Sequence, residues 1–170
     1  MKILTAILYV LFFSGAMLKP EVTSSFLKKA DKNLERIFKG KMITKKDVAL
    51  SDKQLAEITF KNNGIYELKS SGENLGFLVF TSSMGRFEPF DYMVVYNPDA
   101  SVKEISIINY TSPHGGEVSS AKWLKQFAGY NGKKLKYGSD IEALSGATFS
   151  ASSLVKDVEL ITVFMKSLTH

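Results

Sequence analysis

Ser145-Gly146-Ala147-Thr148 is the stretch of this chain whose residue types best fit chemistry, and the chemistry is that of anion binding. It runs directly into an amphipathic C-terminal segment. The start of a helix leaves backbone N–H groups unpaired and carries partial positive charge, so a phosphate is held well there. Gly146 lets the backbone approach closely, Ala147 keeps that approach uncrowded, and Thr148 offers a hydroxyl where the anion would rest. Two readings stand side by side. Either Thr148 is esterified to a phosphorylated group, or the four residues are an ordinary capped helix start.

Three further stretches are marked by glycine: Ser82-Ser83-Met84-Gly85-Arg86, Pro113-His114-Gly115-Gly116-Glu117 and Gly129-Tyr130-Asn131-Gly132. Each taken alone reads as a turn. Gly115-Gly116 would also let backbone approach the edge of a flat ligand. Other chemistries are poorly served. The two histidines are His114 and the terminal His170, which leaves little support for a multi-histidine metal site or a serine-hydrolase triad. The absence of cysteine excludes disulfides, Fe–S clusters, thiolate zinc sites, c-type haem attachment and a cysteine-linked lipid anchor.

These residues must be positioned by a scaffold, and 170 residues suffice for one domain with a real core. Hydrophobic residues make up 45% and charged residues 23%, an ordinary globular balance. The net charge of +5 is spread through short runs such as Lys28-Lys29, Lys45-Lys46 and Lys133-Lys134-Leu135-Lys136. A nucleic-acid footprint would cluster charge with interleaved aromatics, so no nucleic-acid partner is expected. The doublets read as solvated faces, with weak attraction to anionic membrane surfaces.

Lys2 followed by the apolar run Ile3–Phe13 and then Ser14-Gly15-Ala16 matches an export signal cleaved after Ala16. The run is short of the roughly 20 apolar residues of a membrane span. An uncleaved anchor reaching to about residue 19 is the alternative. Either way the mature chain is expected outside the cytoplasm, in the periplasm or on the outer face of the cytoplasmic membrane.

Thr23, Ser24 or Ser25 caps a helix to about Lys39, with Phe26, Ala30, Leu34 and Ile37 on one face and Gly40 as its stop. Ser51 and Gln54 form a capping box for a short helix to about Ile58. Strands follow at Ile65–Lys69 after an Asn62-Asn63-Gly64 turn, and at Leu75–Thr81, Tyr92–Tyr96 and Val102–Tyr110. Ser119 or Ser120 caps a short helix carrying Trp123, Leu124 and Phe127. Ser150–Leu168 forms the last helix, with the seam Leu154, Val158, Ile161, Met165 and Leu168. The pattern predicts an α+β fold: one domain with a central antiparallel sheet flanked by helices, after the N-terminal signal segment. Residues 1–16 read as the signal, 20–60 as an N-terminal helical segment, and 61–170 as the domain bearing the motifs.

An ordered set of motifs is more specific than any one of them. Thr111-Ser112-Pro113-His114-Gly115-Gly116-Glu117, then Trp123-Leu124-Lys125-Gln126-Phe127 with Gly129, then Ser145-Gly146-Ala147-Thr148 before a terminal helix, resembles the FMN-binding domain family. That family includes the flavin subunits of sodium-pumping and Rnf-type redox complexes and smaller exported proteins, which Arg86–Met93 also resembles. The resemblance covers about Gly76 to Leu168. It implies FMN attached covalently through its phosphate to Thr148, with Ser145, Gly146 and Ala147 forming the turn at the phosphate. It also implies a flavin transferase that installs the group from FAD. Thr111, His114, Gly115, Gly116 and Trp123 then become candidate flavin contacts: Gly115-Gly116 through backbone, Trp123 as a ring cover or a core residue, His114 as a proton donor or a surface histidine. Glu117 reads as a cap for the following helix. The chain departs from the family at Glu142, where aspartate is usual and Asp140 lies nearby. It departs again at Tyr110-Thr111, where Glu-Thr is frequent, and Tyr110 receives no role. The implied function is electron transfer by an exported flavoprotein or a subunit of a membrane redox complex, rather than a stand-alone enzyme. The rival reading is a non-redox exported module of the same fold that binds a protein or envelope partner.

Overall fold

The computed structural model describes residues 24–169, so the signal or anchor read at the N-terminus lies outside the described residues. Five strands form one antiparallel sheet in the order β1-β2-β3-β4-β5, each paired with its sequence neighbour. They are β1 (Thr44–Asp47), β2 (Lys61–Ser70), β3 (Glu73–Met84), β4 (Pro89–Tyr96) and β5 (Val102–Asn109). Helices α1 (Ser24–Ile37), α2 (Asp52–Glu57), α3 (Ala121–Leu124) and α4 (Thr148–Thr169) complete the α+β domain.

The sheet is covered on both faces, which explains why its central strands read as apolar runs rather than alternating ones. Alternate residues of β3 and β4 serve two separate cores. Leu78, Phe80, Met93 and Val95 meet Ala30 and Leu34 of α1 and Phe38 just beyond its end on one face. Val79, Tyr92, Val94 and Tyr96 meet α4 on the other. The α4 seam is Leu154, Val158, Ile161 and Met165, all buried, with Leu168 half-buried. Burying each such side chain stabilises by about 1.5–3 kcal/mol, which fixes α4 and therefore its first turn on the sheet. The Tyr96 hydroxyl, buried in that interface, is paired with Thr162 Oγ1 at 3.1 Å.

Three differences from the sequence reading concern the sheet and its neighbours. Asn62-Asn63-Gly64 is not a turn: β2 runs through it, with a register shift between Asn62 and Gly64 marking a bulge. The segment before residue 61 contributes β1 as well as helices, and all four of its residues are exposed. The helix carrying Trp123 is one α-helical turn continued by a 3-10 turn at Lys125–Phe127.

Candidate functional site

Three stretches far apart in sequence meet in one open pocket of about 530 Å³. The β3–β4 connection supplies Arg86, the loop after β5 supplies His114 and Gly115, and the start of α4 supplies Gly146 to Ser150 and Ser152. No acidic residue lines it. Ligand pockets are typically about 300–1,000 Å³, so the space suits a mononucleotide-sized group.

The meeting point is a pair of hydroxyls. Tyr110 donates to the His114 carbonyl at 2.7 Å, and its oxygen lies 3.1 Å from Ser150 Oγ. This ties the loop after β5 to the first turn of α4. Gly115 sits against the same pair with φ +84°, and a Cβ there would fall 2.6 Å from the Tyr110 hydroxyl and 3.2 Å from Ser150 Oγ. Only glycine fits, on conformation and on space. Gly85 closes in from the β3–β4 side, where a Cβ would stand 3.5 Å from Ser150 Oγ. Ser150 itself is only 2% exposed.

The first turn of α4 is open to this pocket. The Ala151 amide bonds the Ala147 carbonyl at 2.9 Å, so the amides of Thr148, Phe149 and Ser150 stand ahead of the helical ladder. No acidic side chain occupies the first turn. Thr148 is exposed, and its hydroxyl donates to the Leu144 carbonyl at 3.2 Å, which leaves its oxygen lone pairs outward. Ala147 is buried, and Gly146 takes φ +82°. The approach to this turn is fastened from outside the pocket. Trp123 Nε1 donates to the Glu142 carbonyl at 2.7 Å, the Glu142 amide donates to Gln126 Oε1 at 2.9 Å, and the Leu144 amide donates to the Tyr137 hydroxyl at 2.8 Å.

Several expected residues take other places. Trp123 is a core residue: it is 3% exposed, packs edge-on to Phe127 at 5.4 Å, and does not line the pocket, so the ring-cover reading gives way to core packing. Thr111 donates to Glu88 at 2.9 Å, and Ser145 and Gly116 are exposed outside the pocket lining. The Glu117 carboxyl packs beside Gly146, 3.3 Å from where a Cβ would stand, and it is the Glu117 carbonyl that accepts from the Ser120 amide. Asp140, which lies near the altered Glu142, has its carboxylate on the Lys136 amide at 2.8 Å. Gly129 and Tyr130 pair with Val102 and extend the edge of β5. Tyr110 and Ser150 were missed as site residues because their pairing spans 40 residues of sequence, a distance no local spacing reveals. Arg86 had a visible signal, a cation beside a glycine turn after a buried strand.

Fold and site together define the class: an α+β domain whose last helix opens onto a pocket shared with two loops. No family model matches the chain, and no curated protein does. Among solved structures it is similar to the crystal structure of Shewanella oneidensis NqrC. The identity is 19% with a TM-score of 0.49, over 72% of this chain and 66% of that one, just under two thirds of its length.

Proposed function

We propose that this chain is an exported flavoprotein that carries FMN on Thr148 through a phosphoester and serves in electron transfer. The observation that supports it is an exposed threonine hydroxyl at the uncapped start of α4, inside a pocket shared with Arg86, His114 and Gly115. The donor set fits the group. Backbone amides and the field of the helix suit a phosphodiester monoanion, and the exposed Phe149 of the lining offers a flat apolar face. The bound flavin would supply the redox chemistry; the protein holds, orients and tunes it.

Attachment balances as a phosphoryl transfer. The Thr148 Oγ–P bond forms at the FMN phosphorus of FAD, the pyrophosphate P–O bond breaks, AMP leaves, and the hydroxyl proton is released. A flavin transferase performs it. Leu144, whose carbonyl holds the hydroxyl, aims the lone pairs of Thr148 outward to receive the phosphorus. A membrane redox complex is the partner class that fits the proposed location.

The test is co-expression of the full chain with a flavin transferase and an export route, followed by intact mass and in-gel flavin fluorescence after denaturation. A single FMN adduct that vanishes in Thr148→Ala is expected. Absence of the adduct, or its survival in Thr148→Ala, overturns the assignment.

A further inference from the structure

The exposed phenylalanines of the described chain are Phe87, 61% exposed, and Phe149, 52% exposed; Phe149 lines the Thr148 pocket, and Phe87 packs beside two of its lining residues, Arg86 and His114. Phe149 follows Thr148 directly and lines the pocket. Phe87 comes from the β3–β4 connection and is held in a row: the Arg86 guanidinium lies 5.3 Å above its ring, and the His114 imidazole 6.1 Å away at 57°. Exposed Met84 precedes this row on β3. Elsewhere on the described surface, exposed large apolar residues are aliphatic and scattered: Leu27, Met42, Leu55 and Val163. Clustered exposed aromatics around a concave site mark a binding surface, whereas single exposed aliphatics need no explanation.

We propose that Phe87, Phe149 and Arg86 form a ledge that binds the isoalloxazine ring of the flavin tethered at Thr148. The inference rests on the flavin reading above and adds the residues that hold the ring rather than the phosphate. Flat apolar side chains from the β3–β4 connection and from the first turn of α4 suit a planar aromatic ligand, and a guanidinium already stacked on an aromatic face suits a ring that gains negative charge when reduced. Arg86 thus tunes the flavin by placing fixed positive charge beside it. The residue following the attachment site and the β3–β4 connection both lie on one pocket, so tether and ledge serve one ligand.

The full chain is compared with Phe87→Ala, Phe149→Ala, Arg86→Gln and Arg86→Lys, each loaded by the transferase and checked for the adduct by intact mass. All four are expected to carry FMN. The two alanine variants should show brighter flavin emission and stronger iodide quenching, with ring contact weakened about two- to fivefold. Arg86→Gln should move the midpoint potential to a more negative value, and Arg86→Lys should recover part of that shift. Adduct-bearing variants that quench and titrate like the parent overturn the ledge while leaving the attachment intact, and the exposed aromatics then belong to a protein contact. If the parent carries no adduct, the attachment reading is what fails. The same variants titrated with free FMN then decide the ledge, and equal affinity across all five proteins overturns it.

Discussion

Two helix starts in this molecule have opposite finishes. The six-residue α2 is closed by its own sequence: Ser51 Oγ accepts from the Gln54 amide, Gln54 Oε1 accepts from the Ser51 amide at 2.9 Å, and Asp52 sits in the first turn. The 22-residue α4 begins with no acid, and its first hydroxyl, Thr148, donates backward to Leu144 instead of accepting from an amide. The short helix needs its cap because it buries nothing, whereas α4 is held by its long buried seam. A helix secured by packing can leave its terminal amides to a ligand.

The largest expected effect breaks that contrast at its two hydroxyls. Thr148→Ala should abolish FMN loading entirely, while costing under about 0.5 kcal/mol in stability, because it removes one exposed hydrogen bond. Ser51→Ala should do the reverse: full loading, with stability lower by about 1 kcal/mol. Intact mass and chemical denaturation of both variants read the two effects separately. If Ser51→Ala also impairs loading, the two starts are not independent.

A second group of variants tests whether the start of α4 depends on distant support. Gly115→Ala places a Cβ 2.6 Å from the Tyr110 hydroxyl at a left-handed φ. It should cost about 1–3 kcal/mol and reduce loading. Gly116→Ala meets nothing within 4 Å and serves as its control. Tyr110→Phe removes the hydroxyl bonded to the His114 carbonyl and Ser150 while keeping the ring, at a cost of about 1 kcal/mol. Loading in Tyr110→Phe should slow rather than stop. Parent-like rates in both Gly115→Ala and Tyr110→Phe would show that α4 presents Thr148 without help from the loop after β5.

The same contrast explains what the sequence could and could not reveal. Helix α4, its seam and the turn before Thr148 were legible because apolar spacing and small residues are local signals. The capping box at Ser51 was legible for the same reason. Strand β1 was not: Thr44-Lys45-Lys46-Asp47 is wholly exposed and carries no apolar period, and it is a strand because the edge of β2 takes a partner. Asn62-Asn63-Gly64 has turn chemistry, yet pairing with β3 overrides it as a bulge. At the site, Thr148, Gly146 and His114 were legible as types, but Tyr110, Ser150 and the convergence of Arg86 on them come from tertiary packing alone.

The smallest expected effect lies further along α4 and asks whether the packing that frees its start is itself under strain. Asp157 is half-buried; burial raises its carboxyl pKa, and the nearby Ser83 hydroxyl pulls the other way. The buried Tyr92 phenol, its own pKa pushed up by burial and then by the charge of Asp157, faces the same carboxyl. A carboxyl whose folded pKa lies above its unfolded value near 3.8 favours folding while protonated. That contribution is complete below the unfolded pKa and is lost as pH rises through the folded one. Asp157→Asn keeps the shape and removes the charge. Its thermal midpoint relative to the parent should therefore climb between pH 4 and pH 7, by a small margin because the group is partly solvated. A difference between the two proteins that stays constant over that range would show that the carboxyl is already comfortably ionised, and that α4 is held on the sheet without an electrostatic penalty.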